Sequence, residues 1–166
     1  MNPPFGTSDC DGVVLVTGAN SGLGFATARI IASRSARSAV ILACRNMAKG
    51  VEAERAITEA TGNTRVRAMR LDVSSMSSVR EFVAQWVTQP EPPIDAVICN
   101  AGIAGGSGPT ADGFDPVFAT NHLGHFLLTN SLLNSMSPTA RVISVSSDMH
   151  QPPGPRLTWL GAEALA

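Results

Sequence analysis

The sequence predicts a doubly wound α/β fold of Rossmann type, with a parallel sheet of five strands in the order 3-2-1-4-5 and helices on both faces. Three observations predict it. Five short apolar runs alternate with helical stretches between residues 13 and 147. The runs are continuously apolar, as strands covered on both faces require. A glycine-punctuated turn joins the first run to the first helix, where a nucleotide-binding sheet carries its phosphate loop. Right-handed crossovers then set the strand order.

Val13 to Thr17 is β-branched and reads as the first strand. Gly18 to Gly24 is the turn, and the stripe Ala26, Ile30, Ile31 marks a helix ending near Ser33. Ala39 to Cys44 is a second buried strand. Asn46 suits the N-cap of a helix that Gly62 stops. Val66 to Leu71 reads as the third strand, and Ser74 or Ser75 caps a helix carrying Val79, Phe82, Val83 and Trp86. Pro90, Pro92 and Pro93 break the chain before the fourth strand, Ile94 to Cys99. A glycine-rich loop leads to a long helix from Phe114 to Met136, and Arg141 to Val145 is the fifth strand. Residues 1–12 read as a loose leader, 13–147 as the dinucleotide-binding domain, and 148–166 as an irregular tail. Pro152, Pro153 and Pro155 interrupt that tail, and Thr158 can start a short helical turn.

Composition narrows the function classes. Apolar residues are 44% and charged residues 15%, which is too apolar for a disordered chain. A net charge of −1 gives a polyanion such as nucleic acid no electrostatic support. No apolar run is long enough to span a bilayer. Met1 to Gly12 has neither the charged nor the apolar region of a signal peptide. Cys10, Cys44 and Cys99 form no paired spacing, so a reduced, cytoplasmic setting is expected.

The turn reads Thr17-Gly18-Ala19-Asn20-Ser21-Gly22-Leu23-Gly24. Gly18 allows the tight exit from the strand, Gly22 lets backbone approach a pyrophosphate, and Gly24 lets the helix pack close to the sheet. The helix N-terminus offers N–H groups and partial positive charge to phosphates. The ribose is read about 20 residues past the glycines. Cys44 stands there in place of an Asp, followed by Arg45, whose guanidinium can pair with a 2′-phosphate. This favours NADP(H) over NAD(H). A second reading makes Arg45 a solvated cap of the strand end.

The spacing G-x-x-x-G-x-G resembles the signature turn of the short-chain dehydrogenase/reductase family, and the resemblance runs from about Val13 to Ser147. Ala43-Cys44-Arg45-Asn46, Thr110 to Phe114 and Asn121 to Phe126 (NHLGHF) are similar to the retinol-dehydrogenase-like and protochlorophyllide-reductase-like branches. The resemblance implies that Asp72, with Val73, meets the adenine. On residue chemistry alone Asp72 is equally a turn residue or a helix cap. Asn100-Ala101-Gly102 matches the family's N-A-G motif, whose small residues let the cofactor lie against backbone. Asn121 carries the family role of holding a water that links a catalytic Lys to solvent. Ser147, preferred over Ser146 at the end of the fifth strand, matches the Ser that hydrogen-bonds the substrate oxygen. His122 and His125 lack a third ligand for a metal and are expected to pack or cap instead.

The family's chemistry also needs Tyr and Lys as Y-x-x-x-K. The chain has no Tyr, and Lys49 is its one Lys, on a helix unsuited to that role. The expectation is therefore an NADP-dependent oxidoreductase acting on a small, lipophilic carbonyl or alcohol, present as a portion that stops before the Tyr and is inactive alone. A non-catalytic nucleotide-binding or interaction protein is the alternative, and within the enzymes an NADPH-dependent C=C reductase. Without a covering helix, the apolar fifth strand is expected to support homo-oligomers or aggregation.

Overall fold

The computed structural model describes residues 12–88 and 92–147. Its strands are β1 (Val13–Thr17), β2 (Ala39–Cys44), β3 (Val66–Arg70), β4 (Ile94–Cys99) and β5 (Met136–Ser144). They form one parallel sheet in the order β3-β2-β1-β4-β5, as the alternation of apolar runs and helices predicts. Helices α1 (Gly22–Arg34), α2 (Met47–Thr61) and α3 (Met76–Val87) cross between the first four strands.

Continuous apolar character in the strands follows from two separate cores. On β1, Val13 and Leu15 face a cluster with Phe82, Trp86, Leu128 and Leu132, while Val14 and Val16 face a cluster with Ala28, Ala32, Ala53 and Ile57. Successive side chains of a strand point to opposite faces, so both parities must be apolar. The helix caps form as their residue types predict. The Asn46 side chain accepts from the Lys49 N–H at 3.1 Å, and Ser75 Oγ accepts from the Ser78 N–H at 3.3 Å. Gly62 closes α2 with φ of 71°.

The long helix expected from Phe114 to Met136 is interrupted. Phe114 belongs to a turn, its N–H donating to Thr110 Oγ1 and its carbonyl accepting from the Thr110 N–H. Asp115 caps the helix by accepting from the Phe118 N–H at 2.8 Å, with Pro116 in the first turn. The chain then runs as α4 (Pro116–Phe118), a π-helical turn at Ala119–Leu123, α5 (Gly124–Leu132) and a 3₁₀ turn at Leu133–Ser135. The π turn holds Asn121 and ends at Gly124, where any Cβ would overlap the Val73 carbonyl. A helix on the β3–α3 side can pass this close only with glycine there.

The fifth strand begins earlier than the apolar run suggests. Met136 pairs with Ile94, and the register then shifts so that Ala96 to Cys99 pair with Arg141 to Ser144. The Val145 N–H extends the ladder to the Cys99 carbonyl at 3.0 Å. Residues Arg141 to Ser147 are exposed, Val142, Ile143 and Val145 among them. The leader, the Pro90 break and the tail from Asp148 lie outside the described residues.

Candidate functional site

A cleft of about 640 Å³ opens at the carboxyl ends of β1 to β4. In an open parallel sheet this is the edge where ligands bind, at the point where the strand order reverses. Here β1 lies between β2 and β4, so the glycine turn after it sits at the reversal.

The turn is built by close approach. Gly18 has φ of 66°, and its N–H donates to the Ala43 carbonyl at 2.8 Å. A Cβ on Gly24 would lie 2.5 Å from Asn100 Nδ2 and 2.6 Å from the Gly18 carbonyl oxygen. Gly22 has φ of 54° and open space around it, consistent with a backbone surface presented outward. Ser21 caps α1 with no side-chain bond to the helix, so the first N–H groups of α1 stay available to an anion. Thr17, Gly18, Asn20, Ser21, Leu23 and Gly24 line the cleft, and Gly22 stands just outside it.

The opposite wall is Asn100, Ala101 and Gly102 after β4, joined by Ile103. Asn100 Nδ2 donates to the Thr17 carbonyl at 2.8 Å, tying the two strand ends together. The buried Thr17 hydroxyl accepts from the N–H groups of Asn100 and Ala101, each at 2.9 Å. Leu71, Asp72 and Val73 close the cleft after β3. Asp72 Oδ1 accepts from both the N–H and the hydroxyl of Ser74, so in this structure its carboxylate shapes the turn into α3.

At the end of β2, Arg45 lines the cleft as the sequence predicts, with Asn46 and Lys49 beside it. Sequence reasoning missed these two as cleft residues. Lys49, in the first turn of α2, reaches the same cleft as Arg45. The signal is its place in the first turn after the Asn46 cap, four residues past Arg45. Cys44 is buried beneath the turn, and burial pushes its thiol up to about 11 against opposing hydrogen bonds from the backbone of Ala19 and Asn20. It offers the cleft no charge.

Ser147 and Asn121 do not line this cleft. Ser147 lies past the end of β5 and is exposed. Asn121 borders a smaller cleft of about 190 Å³ with Cys99, His125, Phe126 and Val142, and Val145 lies between the two clefts. The Asn121 amide clamps Ile103, its Oδ1 accepting from the Ile103 N–H and its Nδ2 donating to the Ile103 carbonyl, both at 2.9 Å. The two histidines part company. His122 stacks between Phe118 and Phe126, with centroids 5.4 Å and 6.4 Å away. His125 is buried and places Nε2 2.8 Å from Thr17 Oγ1.

The family model described as short chain dehydrogenase matches residues 12–162. The chain belongs to the short chain dehydrogenase family. The chain is 45% identical over 143 residues to the WW domain-containing oxidoreductase of Gallus gallus, covering 84% of this chain and 34% of that protein. It is 46% identical over 140 residues to retinol dehydrogenase 13 of Mus musculus, covering 82% of this chain and 41% of that one. It thus spans less than half the length of these curated relatives. A solved short chain dehydrogenase from Shigella flexneri 2a str. 301, complexed with NADP, superimposes with a TM-score of 0.73 at 27% identity, over 87% of this chain and 62% of that one. That structure carries NADP on the same fold. Among the described residues no helix is long and apolar enough to cross a membrane.

Proposed function

We propose that this chain forms the nucleotide-binding part of an NADP(H)-dependent oxidoreductase that interconverts a lipophilic carbonyl and its alcohol. The observation that carries the NADP(H) reading is the pair of cations, Arg45 and Lys49, in one cleft with the glycine turn, at a strand end that has no carboxylate. The residues fit the cofactor. Gly18 and Gly24 let the turn pack tightly against Asn100 and Ala101, Gly22 leaves open space that a Cβ would occupy, and α1 presents N–H groups beside it.

When bound, the nicotinamide supplies or accepts the hydride. The chain's own residues hold and orient. Arg45 and Lys49 neutralise the 2′-phosphate, the start of α1 takes the pyrophosphate, and Asn100 to Gly102 let the nicotinamide ribose lie against backbone. Asp72 and Val73 border the adenine. Ser147 is proposed as the donor to the substrate oxygen and Asn121 as the holder of the loop at Ile103. The 166 residues contain no Tyr to act as general acid, so this chain by itself is expected to give no turnover.

Titration of NADPH and NADH against the wild type, Arg45→Ala and Lys49→Ala tests the proposal. The wild type should prefer NADPH. Arg45→Ala should lose roughly ten- to a hundred-fold for NADPH, the value of a charge-assisted contact, with NADH little changed. Equal wild-type affinities for the two cofactors refute it.

A further inference from the structure

Four groups converge on the Thr17 hydroxyl, which is fully buried at the start of the glycine turn. The N–H groups of Asn100 and Ala101 donate to it at 2.9 Å each. A hydroxyl has two acceptor sites and one proton, so these two bonds fill its acceptor capacity. The proton has two possible acceptors, the Ile98 carbonyl at 3.4 Å and His125 Nε2 at 2.8 Å. The shorter contact has the better geometry. His125 Nε2 is then a bare acceptor, and the ring proton sits on Nδ1. That nitrogen faces the Asn121 carbonyl, a long 3.5 Å away, within the π-helical turn. The two assignments support each other, since one neutral tautomer satisfies both nitrogens.

We propose that the neutral imidazole of His125 is a positioning residue for the dinucleotide, taking the Thr17 proton and so holding the glycine turn against the Asn100–Gly102 wall. This rests on the reading of the larger cleft as a nucleotide site. Protonation would place an N–H on Nε2 toward an oxygen with no lone pair left, and would break the hub. The surroundings agree. Burial lowers the His125 pKa from 6.5, opposed by its bond to Asn121 and reinforced by the charge of His122. The ring meets Thr17 on β1 and the Asn121 carbonyl on the π turn, and shares its small cleft with the titratable groups Cys99 on β4 and His122 on the π turn. Burial pushes Cys99 up to about 11, so it stays a neutral thiol and gives an imidazolium no partner. His125 also connects the turn to the site beyond it, because the Asn121 whose carbonyl it faces clamps Ile103 through its amide.

The sign follows. The folded state prefers the neutral ring, so its contribution is complete above the ordinary histidine pKa and is lost as pH falls below it. The test uses the full chain and NADPH as the probe, titrated by fluorescence from about pH 8 to about pH 5. His125→Gln supplies an uncharged acceptor of similar reach, His125→Leu removes the acceptor, and His122→Gln is the control. At neutral pH His125→Leu should bind NADPH roughly ten-fold or more weakly, and His125→Gln should stay within about three-fold of wild type. On acidification wild type and His122→Gln should lose more affinity than His125→Gln. The 2′-phosphate titrates in the same range in every variant, so this difference isolates the imidazole. Nitrogen NMR of the nucleotide-free chain should show His125 protonated at Nδ1 and bare at Nε2. The Nε2–H tautomer, equal acid slopes in wild type and His125→Gln, or full affinity in His125→Leu would each overturn the proposal. Binding of neither NADPH nor NADH by wild type would instead refute the nucleotide reading, while the tautomer still decides the Thr17–His125 bond.

Discussion

Asn63 offers a way to separate stability from binding. It follows Gly62 at the end of α2 and is fully buried. Its Nδ2 donates to the carbonyls of Ser35 and Ser38 at 3.0 Å each and approaches that of Ala32 at 3.3 Å. Its Oδ1 accepts from the Arg65 N–H at 2.8 Å. One side chain thereby joins the end of α1, the entry to β2 and the entry to β3. An amide has two N–H donors, so the Nδ2 contacts amount to two full bonds, with the third carbonyl sharing. With Oδ1, Asn63→Ala removes three bonds, each worth about 1 kcal/mol net, so about 3 kcal/mol is lost. For a chain of this size that is a fall in Tm of roughly 6–12 °C. Asn63→Asp should cost more, because a carboxylate oxygen would face three carbonyl oxygens. These groups stand at the amino edge of the parallel sheet, across it from the cleft. The folded fraction should therefore bind NADPH as wild type does. Urea unfolding followed by circular dichroism measures the loss, and NADPH titration of the folded chain measures the binding. A stability loss below about 1 kcal/mol for Asn63→Ala would refute the bond count. Weakened affinity in fully folded protein would refute the separation of the two edges.

Gly24→Ala should abolish NADPH binding, because its Cβ would strike Asn100 Nδ2 at 2.5 Å and the Gly18 carbonyl at 2.6 Å, and the second contact is backbone that cannot swing away. Gly22→Ala meets no protein atom within 4 Å and should leave the fold intact, losing NADPH affinity through its strained φ of 54° and through a Cβ placed where backbone is to approach the pyrophosphate. A loss of folding stability in Gly22→Ala as large as in Gly24→Ala would contradict this. Cys44 and Cys99, both with thiols pushed up to about 11 by burial, should resist alkylation at about pH 8 in the folded chain and react once urea exposes them. Peptide mass mapping reads this, and fast labelling of folded Cys44 would contradict it. The same shifts predict an alkaline loss of stability. The unfolded thiols ionise first, so the fold weakens as pH rises from about 9 towards about 11.

Strand and helix placement was legible because each element is marked by local chemistry. Asn46 and Gly62 bracket α2 by capping, and the apolar parity of Val13 to Thr17 shows burial on both faces. The interruption at Ala119–Leu123 left no comparable mark. The apolar positions around Leu123, Leu127 and Leu128 suit an ordinary helix, while within the π turn Asn121 bonds Ile103 in a different loop. Likewise the start of β5 at Met136 depends on a pairing with Ile94, which is 42 positions away. Periodicity within one segment carries no information about either contact.

By itself the sequence determined the fold class, the strand order and the glycine turn at the reversal of that order. Each rests on residue types whose preferences act over one turn or one strand: β-branched runs, caps, and glycine where φ is positive or backbone must come close. Tertiary structure alone decided which side chains converge. It brought Lys49 beside Arg45 in the cleft, made Asn63 the tie between three segments, and set His125 on the hydroxyl of Thr17, 108 residues before it. A histidine's tautomer or an asparagine's bond count depends on donors and acceptors contributed by distant strands. Those partners exist only once the sheet has closed around them.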